Sequence, residues 1–387
     1  MSIIIKRVST KRELKKFIRF NYFLYKKNPY SVPDLYDDML NTFNVKKNAA
    51  FEFCEAEYFL AYKEEKLVGR VAGIINHRAN STWNKKEVRF GWIDFIDDLE
   101  VSSALIQAVE EWGKAKGMEV LQGPLGFTDM DAEGMLVEGF DQLSTMATIY
   151  NYPYYPQHME KLGLEKDADW VEFKIQVPAT VPEKMQRIAD LVSRKYNLHV
   201  KKLKNMKEIC DKGYGQKIFK LINECYAPLY GYSQMTEAQI RQYIKMYLPI
   251  LDLRMVTLIE DENDELIAVG VSMPSLSVAL QKAKGRILPF GWYHLVKALF
   301  WKKPKTLDLL LVGVKPEYQS KGVNALLFAD LIPVYTKIGF RFAESNPELE
   351  TNNKVQAQWE YFETTQHKRR RAYKKICLLY TSPSPRD

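Results

Sequence analysis

The sequence predicts an α/β (α+β) chain of two similar halves, each a mixed, mostly antiparallel sheet flanked by helices. Three observations carry this. The order strand, helix, hairpin, strand, helix, strand is read once from Ser2 and again from His199. Each half holds a hairpin of two apolar stretches around a charged turn. Each half then runs a strand into an amphipathic helix that ends on glycine, at Gly117 and at Gly339.

In the first half "SIIIKRV" reads as a short strand, and "KRELKKFIRFNYFLYK" has helical spacing. "AEYFLAYKEEKLVGRVAGIIN" is the hairpin, turned at Lys63 to Lys66. "VRFGWIDFID" is a strand, "VSSALIQAVEEWGKAKG" a helix and "MEVLQGP" a strand. From His199 the series repeats as "HVKKL", "GQKIFKLINECYAPL", "LRMVTLIEDENDELIAVGVSMP", "TLDLLLVGV", "VNALLFADLIPVYTKIG" and "FRFAES". Pro178 and Pro182 break the chain between the halves, and a linking helix follows. The expected divisions are a first domain over 1–177, a linker over 178–198 and a second domain over 199–376. The tail 377–387, "CLLYTSPSPRD", matches the translation of a transposon-end sequencing adapter and is set apart from the domains.

Composition bounds the function loosely. A chain of 387 residues with 46% hydrophobic and 27% charged residues is an ordinary globular protein of two or three domains. The net charge of +8 suits an anionic partner: a nucleotide cofactor, a lipid surface or nucleic acid. Four cysteines without a C-x-x-C or a Cys/His cluster point to reduced thiols in a cytoplasmic protein and to no metal. The start has no apolar leader segment, and the longest apolar stretch, "ILPFGWYHLVKALFW", is broken by His294 and Lys297.

The halves differ at the turn between the fourth strand and its helix. The first has "DDLEVSSAL" and the second "PEYQSKGVNAL". Only the second carries Gln319-x-x-Gly322 after a strong strand and before a helix, where bare backbone N–H groups can hold a phosphate. Arg70-x-x-Gly73 has the same spacing but lies inside a strand pattern.

This turn resembles that of the GNAT acyltransferase superfamily, Gln/Arg-x-x-Gly-x-Gly/Ala. "GPLGFTDMDAEGMLVEGFD", "YNYPYY", "GRILPFGW" and "GVKPEYQSKGVNALLF" resemble a bacterial group of tandem GNAT-like proteins that includes the bacterial ceramide synthases. The resemblance implies tandem GNAT-like domains and acyl-CoA or acetyl-CoA as co-substrate, held in the second half. It implies an N-acyltransferase that moves an acyl group, long-chain or acetyl, to a primary amine by direct attack in a ternary complex. Gln319, Ser320, Lys321, Gly322, Val323 and Asn324 would hold the pyrophosphate. Val312, Gly313 and Val314 would offer main-chain groups to the acyl carbonyl. Asn324 departs from the family's Gly/Ala. A side chain at Gly322 is expected to enter the pyrophosphate site.

The chemistry sets further demands. An alkylamine of pKa ~10.4 is almost wholly protonated at pH 7, so a base or a desolvating pocket must act. Glu344 and Glu350, at and after the fifth strand, are the base candidates; the plainer reading of Glu344 is a solvated strand end. The family's acid is a Tyr after an Asn on the next helix. Here "ETNNKVQAQWEYF" puts Trp359 in that place and Tyr361 one helical step off. Asp129, Asp131 and Glu133 form an acid cluster that the resemblance makes an amine-binding loop; the alternative is an exposed turn with capping acids. A calcium loop is excluded, because Phe140 stands where the bidentate Glu belongs. No histidine has a Ser or Cys partner in a nucleophile motif, and "YNYPYYPQ" reads as packing.

The second half also carries an insert, 280–305. It mixes Ile287, Leu288, Phe290, Trp292, Leu295, Leu299, Phe300 and Trp301 with Lys297, Lys302, Lys303 and Lys305. That composition suits peripheral contact with the inner face of a membrane or a lipid-like substrate; the alternative is a lid packed on its domain. Two rivals remain open. One is a GNAT-like scaffold that binds acyl-CoA or a partner without chemistry. The other is a nucleic-acid binder using "HKRRRAYKK", a run that alternates like a final strand and has no accompanying motif.

Overall fold

A computed structural model of the chain describes residues 2–376; the tail 377–387 lies outside the described residues. The apolar stretches form β1 (Ile4–Arg7), β2 (Cys54–Lys63), β3 (Lys66–Asn76), β4 (Glu87–Phe95), β5 (Val120–Gly123), β6 (Met135–Glu138) and β7 (Glu165–Gln176). The series continues with β8 (His199–Lys201), β9 (Val256–Glu260), β10 (Leu266–Pro274), β11 (Thr306–Val314), β12 (Phe342–Glu344), β13 (Glu348–Leu349) and β14 (Thr364–Ile376). The chain forms two compact units, residues 2–169 with 369–376, and residues 170–368.

In the first unit the order is β1-β2-β3-β4-β5, with β4 and β5 parallel and the other pairs antiparallel. The end of β14 pairs antiparallel with β5, and β6 joins it. The second unit repeats the pattern as β8-β9-β10-β11-β12, with β11 and β12 parallel. There β12 pairs antiparallel with β7, which also takes β13. The duplicated order read from the sequence is therefore a duplicated sheet.

Local chemistry explains the elements. Thr10 and Glu13 form a capping box that starts helix Lys11–Leu24. Glu64 and Glu65 take φ of 50° and 62°, which turns the β2–β3 hairpin tightly. Helix Leu99–Ala115 buries Val101, Leu105, Val109 and Trp112, one stripe of a 3.6-residue repeat. That stripe packs with Val71, Phe90, Phe95 and Leu121 in the core of the first unit. In the second unit helix Asn324–Ile338 and the linking helix Glu183–Tyr196 share a core with Ile259, Ile267 and Ala268. The tyrosines of "YNYPYYPQ" pack as read: Tyr152 stacks on Tyr25, and Tyr155 stacks on Phe95 with ring centroids 4.1 Å apart.

The chain changes unit between Asp169 and Trp170, inside β7, ahead of the boundary at 177 that the sequence suggests. It returns between Lys368 and Arg369, inside β14. The basic C-terminal run is thus a strand, and from Arg369 onward its charges are used within the first unit. Arg371 donates to both oxygens of Asp169 (2.8 and 3.0 Å), Arg369 donates to it at 3.2 Å, and Lys374 pairs with Asp167. Burial raises the Asp169 carboxyl, but Arg371 and Lys166 outweigh it and hold the group below its ordinary value. Asp169→Asn leaves two guanidinium groups without their shared acceptor, and a loss of roughly 3 kcal/mol is expected. Denaturant unfolding of the variant against wild type measures it.

Candidate active site

The second unit has an opening built into its sheet. β11 pairs with β12 only from Thr306 to Asp308. Beyond that, residues 309–314 have β10 on one side and no strand on the other. A register shift between Val271 and Ser272 leaves Leu310 unpaired as a bulge. Lys315 N–H donates to Ile267 O on β10 (2.9 Å), so alternation turns the main-chain groups of Val312 and Val314 to the open side. Side chains meet the carbonyls there. Tyr226 Oη donates to Val312 O (3.1 Å), Gln319 Nε2 to Val314 O (3.2 Å) and Asn346 Nδ2 to Leu310 O.

The strand ends in a turn, Pro316–Tyr318, and helix Asn324–Ile338 follows. Ser320 and Gly322 have φ of 60° and 83°. The N–H groups of Tyr318, Gln319, Lys321, Ala325 and Leu326 find backbone acceptors. Those of Ser320, Gly322, Val323 and Asn324 find none among the described residues, and no side chain caps the helix. Four donors and the positive end of a helix dipole are gathered in one turn. The Lys321 ammonium stands 5.1 and 5.2 Å from the ring centroids of Tyr196 and Tyr318. Gln319 closes the turn onto β11, Val323 is buried in the core, and Asn324 Nδ2 donates to Gln358 Oε1 (3.3 Å). One expectation is corrected. A Cβ at Gly322 would not enter open space but would lie 2.8 Å from Ile188 of the linking helix. Glycine is required here by packing and by its positive φ.

The first unit shows why its matching place is different. Asp98 caps helix Leu99–Ala115 by accepting from Glu100 N–H (3.0 Å), and Lys63 pairs with Asp98 at 2.7 Å. β4 pairs with β5 from Glu87 to Arg89. Past that point the chain's own next residues lie beside β4. Leu125 N–H donates to Phe90 O (3.0 Å), and a Cβ on Gly91 would fall 2.3 Å from Leu125 O. Phe127 is fully buried behind it. Among the described residues, the matching place has neither an uncapped helix start nor an open edge on β4.

The acid and base candidates sit as follows. Glu344 is enclosed, not a solvated strand end. Lys368 bonds it, and His367 Nε2 lies 3.0 Å from its Oε1. Burial raises its carboxyl, yet His367 and Lys368 outweigh this and hold it below the ordinary value. Asp308, its register partner on β11, is pushed up to about 7 by burial and then by Glu344. Glu350 follows β13, half-buried, and its main-chain oxygen accepts from Gln356 (3.2 Å). Tyr361 packs against the core of the second unit, with the Lys184 ammonium 5.2 Å from its ring. Sequence reasoning passed over Glu348. Trp359 Nε1 donates to both its oxygens (3.0 and 3.1 Å), and burial pushes its carboxyl up to about 8. The signal was present in "ELE", an alternation that puts Glu348 and Glu350 on one strand face.

Asp129, Asp131 and Glu133 come together in the first unit and are half-buried. Asp131 Oδ2 accepts from Thr128 N–H (3.0 Å), so it caps its own turn. Burial pushes Asp131 up to about 6, and burial and Asp129 raise Glu133. Among the described residues the His/Asp/Glu group with ligand atoms within 4.8 Å of one another is elsewhere, at His199, Glu260 and Asp264. His158 does have a serine partner: its ring nitrogens lie 2.9 Å from Ser102 Oγ and 3.1 Å from Asp97 Oδ1. Ser102 is fully buried and also donates to Leu99 O, which suits a structural tie.

The insert folds as helices Ser277–Ala283 and Gly291–Val296 with a π-helical turn Lys297–Trp301. Leu299 is buried, but Leu288 and Phe290 are 73% and 77% exposed, and Trp292, Tyr293, Phe300 and Trp301 are exposed as well. No helix among the described residues is long and apolar enough to cross a membrane.

Two repeated sheets, with an opened fourth strand and an uncapped helix start in the second, form a fold shared with tandem GNAT proteins. The fold matches a tandem GNAT protein from the clavulanic acid biosynthesis pathway (TM-score 0.56, 11% identity, 98% of this chain and 99% of that one). It also matches a GCN5-related N-acetyltransferase from Sphaerobacter thermophilus (TM-score 0.51, 10% identity, 97% and 96%). By sequence the chain is similar to the bacterial ceramide synthase of Caulobacter vibrioides, 27% identical over 83% of this chain and 82% of that protein. It is similar as well to protein YghO of Escherichia coli, 25% identical over 96% and 95%. No family model matches the sequence.

Asp131 carries a pH prediction. Its folded pKa lies above the value of a free carboxyl, so the folded state binds more protons between about pH 4 and 6. Its contribution is complete below pH 4 and is lost as pH rises through 6. Asp131→Asn, which keeps an acceptor for Thr128, should raise the melting temperature at pH 8 by about 2–4 °C per kcal/mol relieved. At pH 4 the gain should vanish; calorimetry at the two pH values measures both.

Proposed function

We propose that the second unit binds acyl-CoA and transfers its acyl group to a primary amine by direct attack in a ternary complex. One observation carries the reading. A strand edge left open beyond Asp308 leads directly into a helix start with four unpartnered N–H groups. The backbone at Ser320, Gly322, Val323 and Asn324 would hold the pyrophosphate, with Lys321 adding positive charge. Gln319 keeps the turn closed on Val314. The main chain of Val312, Gly313 and Val314 would take the place of a strand's partner for the extended amide arm of the co-substrate. A donor on that open side can stabilise the oxyanion of the attacked carbonyl. Bound acyl-CoA supplies the activated thioester; no metal is called for.

The acceptor is proposed to be a lipid-like amine and the acyl group a long chain. Support comes from the exposed insert and from the name of the Caulobacter vibrioides relative. Exposed Leu288, Phe290, Trp292, Phe300 and Trp301, flanked by Arg286, Lys302 and Lys305, suit the surface of an anionic bilayer. The protein would then act at the inner face of the membrane, without nucleic acid. Asp129, Asp131 and Glu133 are retained as candidates for amine recognition.

Two measurements test this. Calorimetric titration with CoA should give binding that Lys321→Glu weakens about tenfold or more, a loss of about 1.4 kcal/mol. Glu100→Lys, at the exposed matching turn of the first unit, should leave it unchanged. Equal loss from both variants, or no binding by wild type, would remove the site from the second unit. For the insert, changing Phe290, Trp292, Phe300 and Trp301 to Ser should abolish sedimentation with phosphatidylglycerol vesicles. The same change should cut transfer from palmitoyl-CoA more than transfer from acetyl-CoA. Equal effects on the two donors, read by mass spectrometry of the amide products, would make the insert a plain lid and favour a small-amine N-acetyltransferase.

A further inference from the structure

Glu348 lies in the two-residue strand β13, opposite Val171 of β7. It follows Asn346, whose side chain reaches Leu310 O at the bulge of β11. Glu348 is therefore two residues from the point where the chain leaving β12 touches the open strand. Tyr226, on which the charge of Glu348 acts, donates to Val312 O on the same open edge. The Tyr226 hydroxyl is raised by burial first, then by Cys225, and also by the charge of Glu348. Trp359 fixes the carboxyl by a forked hydrogen bond, and Trp359 is itself buried against Phe173, Phe328 and Phe362.

We infer that Glu348, aimed by the indole of Trp359 at the open edge of β11, is the group that moves the proton during acyl transfer. This rests on the function proposed above. The step balances without another reagent. The amine nitrogen bonds to the acyl carbon, and the carbon–sulfur bond breaks with its electron pair on sulfur. The ionised carboxyl takes one N–H proton from the nitrogen, and the same carboxyl returns it to the departing thiolate.

The other acids are worse placed for the task. Glu344 is bound to Lys368, and Lys368 also pairs with Glu172 at 3.4 Å. A carboxyl held ionised by a buried ammonium gives up little on losing a proton and gains little by taking one. Asp308 is 2% exposed at the closed end of the opening. Glu348 is half-buried, has no cationic partner among its perturbing groups, and has a pKa of about 8, close to the ~8.5 of a simple thiol. The titratable group that interacts with it is Tyr226 from helix Tyr214–Tyr226.

The experiment measures kcat against pH for wild type, Glu348→Gln, Trp359→Phe, Glu344→Gln and Glu350→Gln, with palmitoyl-CoA and a long-chain primary amine. For wild type, kcat should rise to a plateau with a midpoint near 8. Glu348→Gln, which can still accept from Trp359, should lose ~100-fold in kcat, lose that rise, and bind CoA as before. Trp359→Phe keeps an aromatic body but removes the hydrogen bond that favours the ionised carboxyl. It should move the midpoint upward, which a purely structural role would not do, and it decides the matter if Glu348→Gln fails to fold. A Glu348→Gln variant with wild-type kcat and pH profile overturns the role of Glu348, as does loss of the rise in Glu344→Gln or Glu350→Gln instead. No transfer by wild type with any acyl-CoA overturns the underlying function and this role together.

Discussion

The parting of β11 from β12 after Asp308 is the constraint on which the second unit depends. A strand that loses its partner exposes main-chain donors and acceptors, and buried ones must be met. Here the carbonyls of Leu310, Val312 and Val314 are met by Asn346, Tyr226 and Gln319. Each comes from a different segment, so the opening is held from three sides. The same parting frees the strand to end in the turn that exposes the start of helix Asn324–Ile338. Remove the opening and the turn has no strand edge beside it on which an extended co-substrate arm could lie.

Duplication makes the point by contrast. Both units have a fourth strand that pairs in parallel with a fifth for three residue pairs. In the first unit the chain then continues beside β4, with Leu125 paired to Phe90 and Phe127 buried. Its helix start is closed by the Asp98 carboxylate, itself paired with Lys63. An anion there would meet a helix start already capped and would face two acids, Asp98 and Glu100. Among the described residues of the second unit no side chain caps the helix start, and Lys321 adds a cation beside it.

Carboxyl groups in the second unit are driven apart by what they face. Glu344, with Lys368 and His367 beside it, stays ionised despite burial. Glu348 meets only an indole N–H and a tyrosine, and burial wins. The two acids are four residues apart in one short segment. Their difference is a matter of partner, not of residue type, which is how a single fold can keep one acid structural and leave another free to exchange a proton.

Much of the fold was legible because it rests on local rules. Alternation marked the strands, the 3.6-residue stripe marked Leu99–Ala115, and Glu64 with Glu65 marked a hairpin turn. The repeat of element order carried over into a repeat of sheet order, since neighbouring elements in sequence pair with one another. The uncapped turn at Gln319 to Asn324 was also readable, because its donors all lie in one short run of sequence, from Ser320 to Asn324. Tertiary structure decided everything that depends on distant residues meeting. Residues 369–376 complete the first unit and 170–176 the second, which no local pattern records. Gly322 is glycine because Ile188 of another helix stands 2.8 Å from where its Cβ would be. Glu344 is held ionised by Lys368 of β14, whereas Glu348, which meets the indole of Trp359 instead, is pushed up by burial. A carboxyl's reactivity is set by burial and by the charges around it, and a sequence names the carboxyl without naming its neighbours.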